Sequence, residues 1–239
     1  MRVRGVLFDY GGTLDGPASH WLDRMDGLYR EAGLGLPSEQ LKDAFYAADA
    51  AAYADPRVAT LSLAELMDAH VGAQLAVLGI DDAGLRRRLA AAFVARSEAA
   101  LASSRAVLAR LSRRYRLGVV SNFYGNLARI LADAGIAPLL TVVADSNRLG
   151  WMKPDRRIFE HAIRELGTAP AATMHVGDSY DRDVRAAHAL GLRTAWLVAA
   201  ERRPPASDPV ADLVLSSLDD LIRALDLAAA DAVGPGVSR

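Results

Sequence analysis

The feature that most constrains this chain is an alternation of strand and helix signals, broken once by a long stretch with no strand signal. Val3–Phe8 is apolar and β-branched, and it stops abruptly at Asp9 and the Gly11-Gly12 turn. Strand signals return at Leu117–Val120, which ends at Ser121, and at Leu140–Ala144. They recur at Thr173–Val176, ending at Gly177-Asp178, then at Thr194–Leu197 and Leu213–Leu215. Between them Ala106–Arg114, Leu127–Ala134, Arg156–Leu166, Val184–Leu190 and Leu218–Leu225 read as helices. Such repetition predicts an α/β fold, a Rossmann-like doubly wound parallel sheet with helices on both faces. Ligands of such sheets bind off the C-terminal strand ends, where Asp9, Ser121 and Asp178 all fall.

From about Ala18 to Ala100 only helical periodicity is present. Trp21, Met25, Leu28 and Tyr29 share one helical face, and Pro37-Ser38 opens a helix carrying Leu41 and Phe45. Ser62 and Glu65 form a capping-box pattern ahead of Leu66, Met67 and Val71, and Asp81-Asp82 precedes a helix with Leu85, Leu89 and Phe93. The expected organisation is an α/β core over residues 1–15 and 101–227, an inserted all-helical unit over 16–100, and a flexible tail over 228–239. The ERRPPASDP segment around Pro204-Pro205 reads as a surface loop.

Composition narrows the function. The formal net charge of −1 provides no electrostatic footprint for nucleic acid or for an anionic membrane, so a bound anion needs a local site. The absence of cysteine removes disulfides, thiolate metal sites and a cysteine nucleophile. No apolar run approaches the ~20 residues of a membrane span, and the N-terminal run is too short for a signal peptide. A soluble, cytoplasmic protein is expected. Of 28 basic residues only Lys42 and Lys153 are lysine, so a lysine in a motif is informative.

Four short patterns follow in order along the core. They are Phe8-Asp9-Tyr10-Gly11-Gly12-Thr13-Leu14, Val119-Val120-Ser121-Asn122, Lys153-Pro154, and Val176-Gly177-Asp178-Ser179 with Asp183. An aspartate after a strand is commonly a turn or cap residue. Here Asp9 stands with three further polar motifs, and a carboxylate so placed can attack phosphorus. Together the four patterns resemble those of the haloacid dehalogenase superfamily of hydrolases, and the helical insert sits where that family carries a C1-type cap. The resemblance implies Asp9 as nucleophile, Lys153 stabilising the charge that develops, and Ser121 holding a phosphate oxygen. It implies Mg²⁺ held by Asp9, Asp178 and the carbonyl of Gly11, with Asp183 as ligand or as orienter of metal-bound water. Thr13, Asn122, Phe123 and Tyr124 are the candidates for contacting phosphate and substrate. Trp21, Arg24, Tyr29, Phe45 and Tyr46 are cap residues that can line the pocket.

Gly11 departs from the pattern. Phosphatases of this family place a second aspartate there to protonate the leaving oxygen. General acid help is typically worth about 10²–10⁴-fold, so its loss predicts a slow enzyme or one confined to good leaving groups. Asp15, and less so His20, are candidate substitutes, whereas His175, inside a strand, is expected to be packed. The expected activity is Mg²⁺-dependent hydrolysis of a small phosphorylated metabolite through an aspartyl phosphate. A 2-haloacid dehalogenase is one alternative and a non-catalytic binding protein another. The expected partner is a small-molecule phosphate, not nucleic acid or membrane, and the oligomeric state is left open.

Overall fold

Six strands hydrogen-bond into one parallel sheet in the order β3-β2-β1-β4-β5-β6. They are β1 (Gly5–Phe8), β2 (Arg116–Ser121), β3 (Val142–Asp145), β4 (Thr173–Gly177), β5 (Arg193–Leu197) and β6 (Leu213–Leu215). This is the expected Rossmann-like core. The computed structural model describes residues 2–16, 18–199 and 210–231. The loop around Pro204-Pro205 and residues 232–239 of the expected tail lie outside the described residues.

The two faces of β1 bury different sets of side chains, as the two-residue period of a strand requires. Val6 and Phe8 join a large cluster with Val119, Val176 and Leu221, whereas Leu7 packs with Val120, Ile158 and Phe159 on the other side. Helices therefore cover both faces. Parallel register pairs Phe8 with Val119 on one side and with Val176 on the other, so the strand ends carrying Asp9, Ser121 and Asp178 come level.

Between β1 and β2 the chain is helical, as expected for the insert: α1 (Trp21–Glu31), α2 (Ser38–Ala54), α3 (Leu63–Val77) and α4 (Ala83–Leu111). The Ser62–Glu65 capping box forms, with Glu65 N–H on Ser62 Oγ at 3.3 Å and Ser62 N–H on Glu65 Oε2 at 2.8 Å. The sequence read two separate helices where α4 runs unbroken for 29 residues, through the expected boundary at 100/101. Buried serines hide this continuity. Ser97 Oγ accepts from Arg24 Nη2 at 2.6 Å, and Ser104 Oγ donates to the Leu14 carbonyl at 2.7 Å. Both interrupt the apolar period while remaining satisfied inside the fold.

The remaining helices are α5 (Leu127–Asp133), the single turn α6 (Ser146–Leu149), α7 (Arg156–Leu166), the short α8 (Ala186–His188) and α9 (Leu218–Asp231). Residues 228–231, assigned to a flexible tail from sequence, are helical. Among the described residues no helix is long and apolar enough to cross a membrane.

Candidate active site

Asp9 follows β1 directly, and its N–H still bonds to the Val176 carbonyl at 2.8 Å. The ladder thus fixes its backbone against the neighbouring strand. Its Oδ1 accepts from Ser121 Oγ at 2.7 Å and from Lys153 Nζ at 2.7 Å, leaving Oδ2 without a partner among the described residues. Ser121 comes from the end of β2. Lys153 comes from the segment after α6, and Asn122 clamps its backbone: the Lys153 N–H donates to Asn122 Oδ1 at 2.6 Å, and Asn122 Nδ2 donates back to the Lys153 carbonyl at 3.0 Å. The Asn122 side chain is therefore occupied in placing Lys153.

Lys153 is buried and bridges two carboxylates, Asp9 and Asp183, the latter at 2.6 Å. Burial alone would lower its ammonium, but the charges of Asp183 and Asp9 outweigh it and hold the lysine above its usual range. Asp183 lies in a wide turn, Tyr180–Arg185, that leads into α8. Its Oδ1 also meets His175 Nε2 at 3.0 Å, and its Oδ2 accepts from the Ser179 N–H at 3.1 Å. Burial opposes its ionisation, yet Lys153 and His175 together keep this carboxyl far below the ordinary carboxylate value. His175 is packed as expected, edge-on to Phe159 with ring centroids 5.1 Å apart, and it also supports Asp183.

Asp178 is placed otherwise. Burial first, then the charges of Asp9 and Asp183, push it up to about 8. Two glycines make room for these acids. A β-carbon on Gly12, at φ +78°, would fall 2.4 Å from Asp178 Oδ2, and one on Gly177 would fall 2.4 Å from Asp183 Cγ. Carboxylate oxygens of Asp9, Asp178 and Asp183 come within 4.8 Å of one another.

These residues floor a cleft of about 320 Å³. Gly11, Ser121, Asn122, Phe123 and Tyr124 line it from the core, and Trp21, Phe45 and Tyr46 from the helical insert. Four candidates are elsewhere. Thr13 is not on the cleft: its buried hydroxyl lacks a partner among the described residues, and the residue lines a separate cavity with Ser104. Tyr29 is fully buried, and Arg24 turns to Asp15, with Nη1 3.0 Å from Oδ2. Asp15 is itself fully buried and takes the Gly12 N–H at 2.8 Å and Trp21 Nε1 at 2.6 Å. It fastens the β1 loop to α1 and is not on the cleft. His20 is on the cleft, its Nδ1 accepting from the Leu22 N–H at 3.2 Å, which leaves Nε2 as the donor nitrogen.

The sequence reading passed over Asp49, Tyr53, Met152, Ser179 and Arg182, which also line the cleft. Asp49 sits among alanines in α2, and no local pattern separates it from a solvated helix acid.

A model of the haloacid dehalogenase-like hydrolases matches residues 3–191. The chain belongs to that family. The chain is 40% identical over 116 residues to the haloacid dehalogenase-like hydrolase domain-containing protein 3 of Bos taurus, a match covering 48% of this chain and 46% of that one. It thus spans about half the length of these curated relatives. A phosphoserine phosphatase of Thermus thermophilus is 28% identical over 234 residues, covering 92% of this chain and 91% of its own. A solved L-2-haloacid dehalogenase superposes with a TM-score of 0.56 at 27% identity, covering 95% of this chain and 99% of its own. Phosphatases and dehalogenases are thus about equally similar overall, and only the chemistry of the cleft separates them.

Proposed function

We propose that this hydrolase is a Mg²⁺-dependent phosphohydrolase that cleaves a small phosphate monoester through an aspartyl phosphate on Asp9. The observation that carries the reading is the charge balance of the floor. Three carboxylates meet there with one ammonium, and Asp178, pushed up to about 8, is the one without an ion-pair partner among the described residues. That excess and its all-oxygen donor set fit a hard divalent cation. Asp9, Asp178 and the Gly11 carbonyl would hold it, and Asp183, whose oxygens are already engaged by Lys153, His175 and Ser179, would orient what surrounds it. The ion would neutralise charge on the phosphoryl group.

The rest is the work of this chain. Ser121 and Lys153 hold Oδ1 of Asp9, so Oδ2 is the oxygen presented to phosphorus. Attack forms an O–P bond to Asp9 and breaks the bond to the leaving oxygen. Water then splits the acyl phosphate and regenerates the carboxylate. Lys153 and Ser121 offer donors to the charge that gathers on the phosphoryl oxygens. Gly11 offers no proton to the leaving group, and Asp15 is consumed in bonds to Gly12, Trp21 and Arg24. Leaving groups that depart as stable anions are accordingly favoured. We take the insert as a C1-type cap whose aromatic residues close the cleft against water. The phosphoserine phosphatase relative supports a small phosphorylated metabolite as the substrate class.

One feature favours a second reading, 2-haloacid dehalogenation: a halide leaves without a proton, which suits Gly11. Against it, Asp178 and Asp183 would then stand beside the Asp9 nucleophile with Lys153 as the only cation paired with these acids among the described residues.

The test is turnover of acetyl phosphate, p-nitrophenyl phosphate and propyl phosphate with and without Mg²⁺, alongside 2-chloropropionate. Mg²⁺-dependent phosphate release, lost in Asp9→Asn and weakest for propyl phosphate, is expected. Chloride release without Mg²⁺, and no phosphate release, would overturn the reading.

A further inference from the structure

A carboxylate that none of the motifs contains enters the cleft from the insert. Asp49 projects from α2 with its side chain 22% exposed. Tyr124, from the loop after β2, donates its hydroxyl to Asp49 Oδ1, and His70 Nε2 lies 3.1 Å from the same oxygen. Behind it, Gln74 Nε2 contacts His70 Nδ1 at 2.7 Å, so that nitrogen accepts and the ring proton sits on Nε2, toward Asp49. His70 and Gln74 are buried. The carboxylate is thus oriented by two donors, one from the core and one from the insert, both on Oδ1. Oδ2 has no partner among the described residues, and Asp49 lines the cleft.

Three observations bear on what Oδ2 takes. Among the described residues no lysine or arginine pairs with Asp49, and Arg182 stands exposed with its Nε on Ser179 Oγ at 3.2 Å. With a tyrosine hydroxyl and an imidazole as its partners, Asp49 has no permanent counter-charge among the described residues. Second, the walls around it are aromatic: Trp21, Phe45, Tyr53, Phe123 and Tyr124 all line the cleft. Ring faces attract a cation, and a carboxylate with aromatic walls is a common setting for an ammonium. Third, the ammonium of Lys153 lies on the floor, bonded to Asp9 and Asp183. It is committed to those two acids and is not a partner of Asp49.

We propose that Asp49 is the specificity residue of this cleft and that it takes a protonated amine on the substrate, making the preferred substrate an amine-bearing phosphate monoester. Tyr124 and His70 are positioning residues for Asp49. The Asp49–Tyr124 bond joins α2 to the core, so the amine site exists only when insert and core are together. The catalytic arm of this inference rests on the phosphohydrolase reading, and the binding arm does not.

The experiment compares O-phosphoethanolamine, glycerol 3-phosphate and propyl phosphate as substrates of the wild type, Asp49→Asn and Asp49→Ser. A hydrogen bond to a charged group is worth about 1.5–3 kcal/mol, so the ratio of kcat/KM for phosphoethanolamine over propyl phosphate is expected to fall about 10- to 100-fold in both variants, chiefly through KM. In parallel, calorimetry measures binding of the same three esters to Asp9→Asn and to Asp9→Asn/Asp49→Asn. Preference for phosphoethanolamine in the first protein and its loss in the second would support the amine site even if the wild type turned over none of the esters. That last result would sink the phosphohydrolase reading alone. Equal loss for all three esters would overturn the inference and make Asp49 a structural or proton-transfer group. A wild-type preference for glycerol 3-phosphate over phosphoethanolamine would overturn the amine assignment in favour of a hydroxyl.

Discussion

A β-carbon at Gly11 would stand 3.5 Å from Nε1 of the Trp21 indole, an ordinary van der Waals distance, so this glycine is not imposed by lack of space. The position can accept a side chain, unlike Gly12 or Gly177. Gly11→Asp should therefore fold and place a carboxyl on the cleft, where the leaving oxygen departs. With general acid help worth about 10²-fold or more, kcat on propyl phosphate should rise relative to p-nitrophenyl phosphate by about that factor. An unchanged ratio would show that the missing acid is not what limits the enzyme.

Lys153 separates Asp9 from Asp183, and removing it leaves two buried carboxylates facing each other. Breaking a buried pair by deleting one partner costs about 3–5 kcal/mol. Lys153→Met should lower the urea midpoint of the metal-free protein and abolish turnover. Adding Asp183→Asn to it should cost less than the sum of the two single changes, because the charge left unpaired by the first is removed by the second. Strict additivity in the denaturation curves would refute the coupling.

Asp178 sets a pH dependence whose sign is fixed. Its carboxyl is raised to about 8 by burial and by the charges of Asp9 and Asp183. A raised carboxyl contributes stability that is fully present below the unfolded value near 3.8 and is lost as pH climbs through about 8. Asp178→Asn stays neutral throughout. In EDTA its melting temperature should match that of the wild type near pH 4 and exceed it at pH 8.5. A gap that does not grow with pH would contradict this account.

Asp15 separates anchoring from acid catalysis. Burial raises its carboxyl against the opposing effect of Arg24, and its oxygens are taken by Gly12, Trp21 and Arg24. Asp15→Asn should destabilise the protein by about 1–3 kcal/mol through lost bonds to buried donors, yet leave the ratio of propyl to p-nitrophenyl phosphate turnover as it was. A selective loss on propyl phosphate would make Asp15 the proton donor after all.

Much of this protein is legible in one dimension because its governing interactions are local. A strand needs only its own apolar run, and a turn residue at its end is carried to the sheet edge by the strand itself. Asp9, Ser121 and Asp178 were therefore placed correctly by reading where apolar runs stop. The helical insert was legible for the same reason, since periodicity and the Ser62–Glu65 box are short-range. Parallel register then brought the motif residues together, with Lys153 reaching both Asp9 and Asp183.

The tertiary structure decided what depends on partners far along the chain. Ser97 and Ser104 interrupt the apolar period of α4, and only the tertiary structure supplies the Arg24 and Leu14 partners that satisfy them inside the fold. Thr13 belongs to the first motif yet is not on the cleft, and Asn122 spends its amide on Lys153. Asp49, His70 and Tyr124 lie on α2, α3 and the loop after β2, separated by 21 and 54 residues in sequence, and carry no common pattern. Only packing of the insert on the core makes them neighbours. The sequence by itself determined which polar residues stand at the strand ends that floor the cleft, because that geometry follows from the strands. What faces the rest of the substrate was decided by helix packing, whose contacts no local spacing records.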